Sequence, residues 1–177
     1  MFYEEYNIIQ RYPRTQTVGF TTTAAEWGIL SNFAKTPLVV NGVTFACVEQ
    51  LYHYVRLNDA AEREAYLKLI PNMGLKMKAK AFKKRGVERE DWPSIAVDVM
   101  RFCLNHKYEQ SEAFRKELER SRGKYIIEDE SGRRKKPDSW GAIYDAETDE
   151  YFGKNIMGRL LMELRDNGKL EHEKFDF

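Results

Sequence analysis

The sequence predicts an α+β fold: a single compact, helix-rich domain that carries a small β-sheet. Long segments show the three- and four-residue apolar spacing of amphipathic helices, as at Ile95, Val99 and Phe102. Only a few short runs have strand character. A length of 177 residues and a hydrophobic content of 42% suit one domain with its own core. We expect one domain over residues 1–177, with its core at about 18–165 and a polar, exposed tail at 168–177.

The strand-like runs are short and rich in β-branched or aromatic residues. Residues 18–22, Val-Gly-Phe-Thr-Thr, form the first, and residues 125–127, Tyr-Ile-Ile, form the last. Residues 38–45 contain two such runs joined by Asn41-Gly42, which is typical of a type I′ turn. This pattern predicts a β-hairpin.

Helices account for most of the remaining chain, and residues that favour helix termini mark their ends. Asp91 and Ser111 suit N-caps, while Pro71 and Gly86 end the helices before them. The predicted helices span residues 48–58, 60–70, 75–84, 91–108, 111–120 and 155–165. Helix therefore dominates the predicted secondary structure.

The composition excludes several broad classes of protein. The net charge is only +1, which argues against a whole surface built for nucleic acid but leaves room for a local basic patch. No apolar run approaches the length of a membrane span, and the N-terminus lacks the apolar region of a signal peptide. We therefore expect an intracellular, cytoplasmic protein with no membrane partner.

The two cysteines, Cys47 and Cys103, lie in apolar stretches and are interpreted as reduced core residues. Cys47 is two residues from Glu49, so a role at a site remains an alternative. The three histidines have no metal-ligand spacing, and no nucleotide-binding glycine loop or nucleophile elbow is present. We expect no metal and no redox cofactor.

Glu49 is the first candidate for chemistry. It falls in the first turn of a predicted helix, where the helix dipole and free N–H groups favour an ionised carboxylate. His53 and Arg56 follow at i+4 and i+7 on the same face, so an acid, an imidazole and a guanidinium come together. The alternative is a solvated polar face with an ordinary i,i+4 pair.

Asp138 and Trp140 form a second candidate, in a loop after the basic residues 133–136. A tryptophan next to Gly141 exposes a flat ring beside approachable backbone, and an adjacent carboxylate can bind ribose hydroxyls or assist proton transfer. The alternative is a tight turn in which Trp140 fills the core and Asp138 caps the backbone.

Gly153, Lys154 and Asn155 form a third candidate, directly before a helix. Free N–H groups, the dipole and one cation would make an anion site there; the alternative is a simple helix start capped by Asn155. Six basic residues at 76–85 form either a solvated face or a phosphate-facing rim. Together these parts suit a phosphorylated ribosyl compound whose anomeric bond breaks through an oxocarbenium-like transition state.

The order of these motifs resembles the NADAR family along nearly the whole chain, from about Val18 to Arg165. Single blocks are weak signals, but the ordered set is specific. The blocks are Trp27-Gly28-Ile29-Leu30-Ser31-Asn32-Phe33, Val48-Glu49-Gln50-Leu51-Tyr52-His53, Asp91-Trp92 with Val99-Met100 and Lys107-Tyr108, Ile127-Glu128, Asp138-Ser139-Trp140-Gly141, Gly153-Lys154-Asn155-Ile156-Met157-Gly158 and Leu161-Met162-Glu163-Leu164-Arg165.

The resemblance implies a compact, mostly helical fold with N-glycosidase activity. Glu49 matches the family's key glutamate, and Asp138 is its expected assistant at the ribose. The resemblance and the motifs together give the expected substrate-binding residues: Ser31, Asn32, His53, Arg56, Trp92, Trp140, Gly153, Lys154 and Asn155. The chain departs from the family pattern at Gln50, His53 and Arg56, where histidine, glutamine and lysine are usual.

These features predict an enzyme that hydrolyses the C–N bond of a ribosyl-phosphate or ADP-ribosyl substrate. Removal of ADP-ribose from guanine bases of DNA, RNA or nucleotides is the main expectation, with contacts to a polynucleotide through the local basic segments. Two alternatives remain: hydrolysis of riboflavin-pathway intermediates, as associated with other members of the family, and a non-catalytic module that binds ADP-ribose or nucleic acid.

Overall fold

A computed structural model describes residues 4–133, 136–137 and 140–177, and its mixture of helices and small sheets confirms the α+β class. The strands are β1 (Gln10–Pro13), β2 (Thr17–Phe20), β3 (Leu38–Val40), β4 (Val43–Phe45), β5 (Tyr125–Glu128), β6 (Ile143–Asp145) and β7 (Glu150–Gly153). The helices are α1 (Val48–Arg56), α2 (Ala60–Leu67), α3 (Met73–Ala79), α4 (Phe82–Arg85), α5 (Trp92–Gln110), α6 (Glu112–Arg120) and α7 (Ile156–Asn167).

The chain folds into two compact units. Unit 1 contains residues 32–111 and 171–177, and therefore β3, β4 and helices α1 to α5. Unit 2 contains residues 4–31 and 112–170, and therefore the other strands with α6 and α7. Glu49 lies in unit 1, and Trp140 and Asn155 lie in unit 2.

The hairpin predicted in unit 1 is confirmed. Strands β3 and β4 pair antiparallel, with Val40 opposite Val43. The two residues between them, Asn41 and Gly42, both have positive φ, at 50° and 77°. A type I′ turn requires positive φ at both central positions, which explains why Asn-Gly occupies this loop.

Helix α1 is the centre of unit 1. Its residues from Val48 to Val55 are all buried, and it packs on α2, α3 and α5. A helix that is buried on every side belongs to the core, so polar side chains on it need partners inside the protein. The predicted helix at 75–84 is two helices, because a turn in which the Ala81 N–H donates to the Lys78 carbonyl separates α3 from α4.

The C-terminal segment departs in part from the expectation of an exposed tail, because most of residues 168–177 are exposed but Leu170 and Phe175 are buried. Residues 171–177 belong to unit 1, where Phe175 is buried and its ring lies 5.6 Å from that of Phe102. The Asp98 carboxylate accepts the Glu173 N–H at 3.0 Å. The expectation rested on the average polarity of the segment, whereas its aromatic side chains supply apolar area that is worth burying.

Unit 2 contains two small sheets. The predicted strands at 18–22 and 125–127 correspond to β2 and β5, which pair in parallel. A second sheet, of antiparallel β1, β7 and β6, was not predicted from the sequence, since each of its strands mixes charged or polar residues with aromatic ones. Helix α7 packs on β5 at Gly158, where a Cβ atom would overlap the Ile126 carbonyl oxygen.

Candidate active site

Backbone contacts fix the start of α1 and so fix Glu49. The Glu49 N–H donates to the carbonyl oxygen of Asn32 at 3.0 Å. The N-cap residue, Cys47, makes no side-chain cap, and the Gln50 side chain accepts the N–H of Ala46, the residue before the cap, at 2.9 Å. The Asn32 carbonyl therefore satisfies one of the orphan donors of the helix start, and Gln50 ties the preceding residue to the first turn.

Glu49 and His53 form a buried pair. The Glu49 Oε1 and His53 Nε2 atoms are 3.1 Å apart, and the two side chains are only 8% and 7% exposed. This spacing of four residues places both groups on one side of α1, as the sequence predicted. Their burial excludes the alternative of a solvated polar face.

The charge of Glu49 acts on neighbouring groups that burial has already made hard to ionise. Burial raises the pKa of the Tyr52 and Tyr66 phenols and of the Cys103 thiol, and in each case the Glu49 carboxylate adds to the rise. These groups therefore stay neutral at physiological pH. Glu49 is consequently surrounded by weakly polar, uncharged side chains.

Arg56 does not pair with Glu49. Its Nε donates to Glu88 Oε2 at 2.6 Å, and its guanidinium lies 5.2 Å from the centre of the Trp92 ring. Trp92, in turn, meets Tyr52 edge-to-face at 4.9 Å. Arg56, in the last turn of α1, therefore has its guanidinium charge balanced by Glu88 and stacked on the Trp92 ring.

Asn32 completes the predicted residues of unit 1. Its carbonyl oxygen accepts from Glu49, and its Nδ2 donates to the Met100 sulfur at 3.5 Å. The structure thus brings Asn32, Glu49, His53, Arg56 and Trp92 together around α1 in unit 1.

The predicted anion loop of unit 2 is closed by backbone hydrogen bonds. The N–H groups of Lys154, Asn155 and Met157 donate to the carbonyl oxygens of Pro137, Gly141 and Trp140, at 3.1, 3.0 and 2.9 Å. An anion site at a helix start needs such N–H groups to face the ligand. Because these three N–H groups already donate to backbone carbonyls, they do not face a ligand.

Asn155 holds α7 to β5 with its side chain, which is fully buried. Its Oδ1 accepts the Glu128 N–H at 3.2 Å and its Nδ2 donates to the Ile126 carbonyl at 2.8 Å. The side chain was predicted to cap α7, but it makes no cap hydrogen bond within the described part of the chain. Asn155 adopts a left-handed conformation instead, with φ of 46°. Lys154 Nζ donates to Asn7 Oδ1 at 3.2 Å.

The remaining predicted residues, Ser31, Asp138, Trp140 and Gly153, belong to the part of the sequence that forms unit 2. Trp140 is partly buried, and Gly153 has no room for a side chain, because a Cβ atom would lie 2.8 Å from the Gly141 oxygen. The Ser31 N–H donates to the Gly28 carbonyl at 3.1 Å. Asp138, like Arg134, Lys135 and Ser139, lies outside the described residues.

Other classes of site are absent from the described residues. No group of three or more His, Cys, Asp or Glu side chains among them is arranged to hold a metal ion. Within the same ranges, no helix combines the length and apolar character needed to cross a bilayer. Both cysteines are free and buried, as the core interpretation predicted.

Three residues around the pair were not identified from the sequence. Glu88 lies 32 positions from Arg56, so no local spacing connects them. Tyr66 and Phe82 contact the His53 ring edge-to-face, with ring centres 6.3 and 6.4 Å away. The sequence gives no signal for Tyr66 or Phe82, because only the three-dimensional packing places them against an imidazole.

The fold and the Glu49 site define a member of the NADAR domain family. The NADAR domain profile matches residues 19–167, which is most of the chain, and the chain belongs to this family. Among similar proteins is N-glycosidase YbiA of Shigella boydii serotype 4, which is 29% identical over 171 residues, covering 92% of this chain and 95% of the relative. N-glycosidase YbiA of Escherichia coli K12 is 28% identical with the same coverage.

The fold is similar to a solved structure as well. The NMR structure of the Escherichia coli protein YbiA superposes with a TM-score of 0.69 at 29% sequence identity. The match covers 90% of both chains. It extends over both units, so the likeness to this family is not limited to the helices around Glu49.

Proposed function

We propose that the protein is an N-glycosidase that hydrolyses the C–N bond between a base and a ribosyl-phosphate or ADP-ribosyl group, with ADP-ribose on guanine as its main substrate. The relatives named N-glycosidase support the reaction type. The observation that carries the proposal is the buried Glu49–His53 pair at the start of α1, in a chain of the NADAR family. A carboxylate is seldom buried without a functional or structural reason.

The carboxylate suits the charge that develops in such a reaction. As the C–N bond breaks, the anomeric carbon and ring oxygen gain oxocarbenium character, and the base leaves with the bonding electrons. Glu49 stabilises this cation and accepts a proton from the water that attacks the anomeric carbon. The departing base nitrogen takes up a proton, so the products are the free base and the free sugar.

Arg56 acts in this proposal as a fixed cation beside the aromatic wall formed by Trp92. A guanidinium is a delocalised cation with no free amine, so it does not serve as an amine nucleophile. The sugar therefore leaves by direct attack of water, with no covalent link to residue 56. Trp92 presents an aromatic surface next to Arg56, which suits stacking with a base.

The test is a comparison of two substrates with wild-type protein and Glu49→Gln. Guanine-ADP-ribosylated DNA and a ribosylaminopyrimidine phosphate are each incubated with both proteins, and released sugar is measured by mass spectrometry. The proposal expects release of ADP-ribose by the wild type and strongly reduced release by the variant.

The other outcomes separate the alternative functions. Release from the aminopyrimidine alone would support hydrolysis of riboflavin-pathway intermediates and overturn ADP-ribose as the main substrate. Binding of ADP-ribosylated DNA by the folded wild type without any release of sugar would support a binding module and overturn the enzymatic function.

A further inference from the structure

His53 differs from an ordinary helix-surface histidine in its surroundings. Its ring is enclosed by the rings of Tyr52, Tyr66 and Phe82, which come from α1, α2 and α4. The hydrogen-bond partner that the structure gives its Nε2 atom is Glu49. A ring in this position is held in one orientation by packing, so its donor direction is fixed.

The second ring nitrogen identifies the tautomer. His53 Nδ1 is buried and has no hydrogen-bond partner within the described parts of the chain. A proton on Nδ1 would bury an unsatisfied donor and leave the Nε2 lone pair facing the Glu49 carboxylate. A proton on Nε2 alone makes a charge-assisted hydrogen bond and leaves only an acceptor without a partner. The contacts therefore favour the neutral ring protonated on Nε2.

The groups around the pair do not offer another charge for this hydrogen bond. Burial raises the pKa of Tyr52 on α1, Tyr66 on α2 and Cys103 on α5, so these groups remain neutral. Arg56, on α1, is paired with Glu88. Phe82 on α4 is apolar. The described hydrogen bond between His53 Nε2 and Glu49 Oε1 is therefore one between an imidazole and a carboxylate in uncharged surroundings.

We propose that His53 is a positioning residue which donates its Nε2–H to Oε1 of Glu49 and so directs Oε2 toward the reacting sugar and water; this role rests on the proposed function. One carboxylate oxygen is then used for orientation and the other for chemistry. His53 itself transfers no proton, because its neutral Nε2–H form is kept through the reaction cycle. A carboxylate held in this way avoids the rate loss of a freely rotating base.

Three substitutions separate positioning from proton transfer. Gln can place an amide N–H near the Nε2 position, Asn places it near the Nδ1 position, and Leu removes the donor. We expect His53→Leu and His53→Asn to lower kcat by up to about 10²-fold with little change in KM. We expect His53→Gln to recover most of this loss and to keep the wild-type pH dependence of kcat/KM. Thermal unfolding checks that each variant is folded.

Two outcomes of these assays would overturn the proposal. Folded His53→Leu with wild-type kcat would show that Glu49 needs no such donor. The second outcome is a folded His53→Gln variant that is as slow as His53→Leu, or whose pH profile lacks one limb of the wild-type profile. Either result would show that the imidazole itself transfers a proton.

A spectroscopic measurement on the wild-type protein tests the inference without turnover. Long-range ¹H–¹⁵N correlation spectra distinguish the two neutral tautomers and the imidazolium, and His53→Gln assigns the signal. The expected pattern is that of neutral histidine protonated on Nε2. The tautomer protonated on Nδ1 would overturn the positioning role, because Nε2 would then have no proton to donate, and an imidazolium would overturn the neutral state that the proposal requires. If this pattern is found but no substrate is cleaved, the proposed function fails while the hydrogen-bond geometry stands.

Discussion

At the scale of single residues, burial and hydrogen bonding make Glu49 the centre of the site. A carboxylate taken out of water is strongly destabilised unless donors replace its hydration. Glu49 receives one such bond from His53 and also lies in the first turn of α1, where the helix dipole favours negative charge. This environment maintains a carboxylate at a place where a developing positive charge would interact with it strongly.

Replacement of Glu49 by glutamine should preserve the fold and remove most turnover. Glutamine has nearly the same shape, and its carbonyl oxygen can still accept the hydrogen bond from His53. It lacks the negative charge, so we expect kcat to fall by about 10²–10³-fold. The measurement is single-turnover release of sugar, with thermal unfolding as the control for structure. An unchanged rate in a folded variant would remove Glu49 from the mechanism.

The residues of the site differ in how far the sequence reveals them. The Glu49–His53 contact follows from helical periodicity, because the two residues are four positions apart on one helix. The pairing of Arg56 with Glu88 does not follow from periodicity. The two residues are 32 positions apart, and the tertiary fold brings the segment before α5 against α1. Local spacing placed Arg56 near Glu49, whereas a non-local partner holds it against Trp92.

At the scale of elements, α5 carries a buried lysine that the proposed mechanism does not use. Lys107 has zero exposure, and burial lowers its pKa from 10.5 to about 7. In the unfolded chain the same amine keeps a pKa near its ordinary value. At a pH between these two pKa values, the Lys107 amine is protonated in the unfolded state and largely neutral in the folded state. Lys107 therefore makes the free energy of unfolding rise with pH.

Lys107→Met should therefore reduce the pH dependence of stability between pH 7 and about 9. We expect the wild-type free energy of unfolding to rise relative to that of the variant, at a slope of at most about 1.4 kcal/mol per pH unit. Urea unfolding at several pH values measures the difference in free energy of unfolding between wild type and variant. The titration of the other groups contributes equally to both proteins and cancels in this difference.

Lys116→Met is the matched control for this experiment. Lys116 is an exposed residue of α6 that pairs with Glu112, and such surface pairs contribute little to stability. Its replacement should leave the pH dependence of the wild type in place. Equal slopes for wild type and Lys107→Met would show that Lys107 keeps an ordinary pKa in the folded protein.

The contact of α7 with β5 depends on the absence of a side chain at Gly158. A Cβ atom there would overlap the Ile126 carbonyl and would lie 2.6 Å from Asn155 Oδ1. Gly158→Ala should therefore destabilise the protein by about 1–3 kcal/mol, in spite of the better helix propensity of alanine. Gly132→Ala, in open space, is the control and should have little effect on thermal unfolding. Comparable melting temperatures for both variants would contradict this packing argument.

Element prediction from sequence succeeded where one local signal was strong. The Asn-Gly turn specified the hairpin of β3 and β4, and apolar periodicity specified α1 and α5. The sheet of β1, β7 and β6 was missed, because strands of three or four residues with mixed polarity carry too little periodicity. The same limit applies to Asn155, whose role as a tie to β5 depends on a tertiary contact.

At the scale of the whole molecule, charge is nearly balanced but unevenly placed along the sequence. The net charge is +1, yet four basic residues follow one another at positions 133–136. Arg133 is exposed and lies 3.9 Å from Glu128, and Lys136 is also exposed. The rest of the chain, without those four basic residues, therefore carries a net charge of −3, and a local basic segment can recognise a polyanion without making the whole surface bind it.

If this segment contacts a polynucleotide, replacement of Arg133, Arg134, Lys135 and Lys136 by alanine should affect substrates unequally. We expect weaker activity on ADP-ribosylated DNA and little change on a free ADP-ribosylated nucleotide, since only the polymer supplies phosphates beyond the modified unit. Wild-type kcat/KM on DNA should fall steeply with added salt, with a logarithmic slope of about 0.7–0.9 per phosphate contact, and the variant should have a shallower slope.

The matched control removes four charges elsewhere, by changing Lys76, Lys78, Lys83 and Lys84 to alanine. These residues belong to the basic face of α3 and α4, so a loss on DNA in this variant alone would place the polymer there instead. Equal losses on both substrates in the 133–136 variant would place that segment at the ADP-ribose diphosphate. Retention of full activity and of the wild-type salt slope on DNA would show that the basic segment contacts no polynucleotide, because counterion release must then come from other residues.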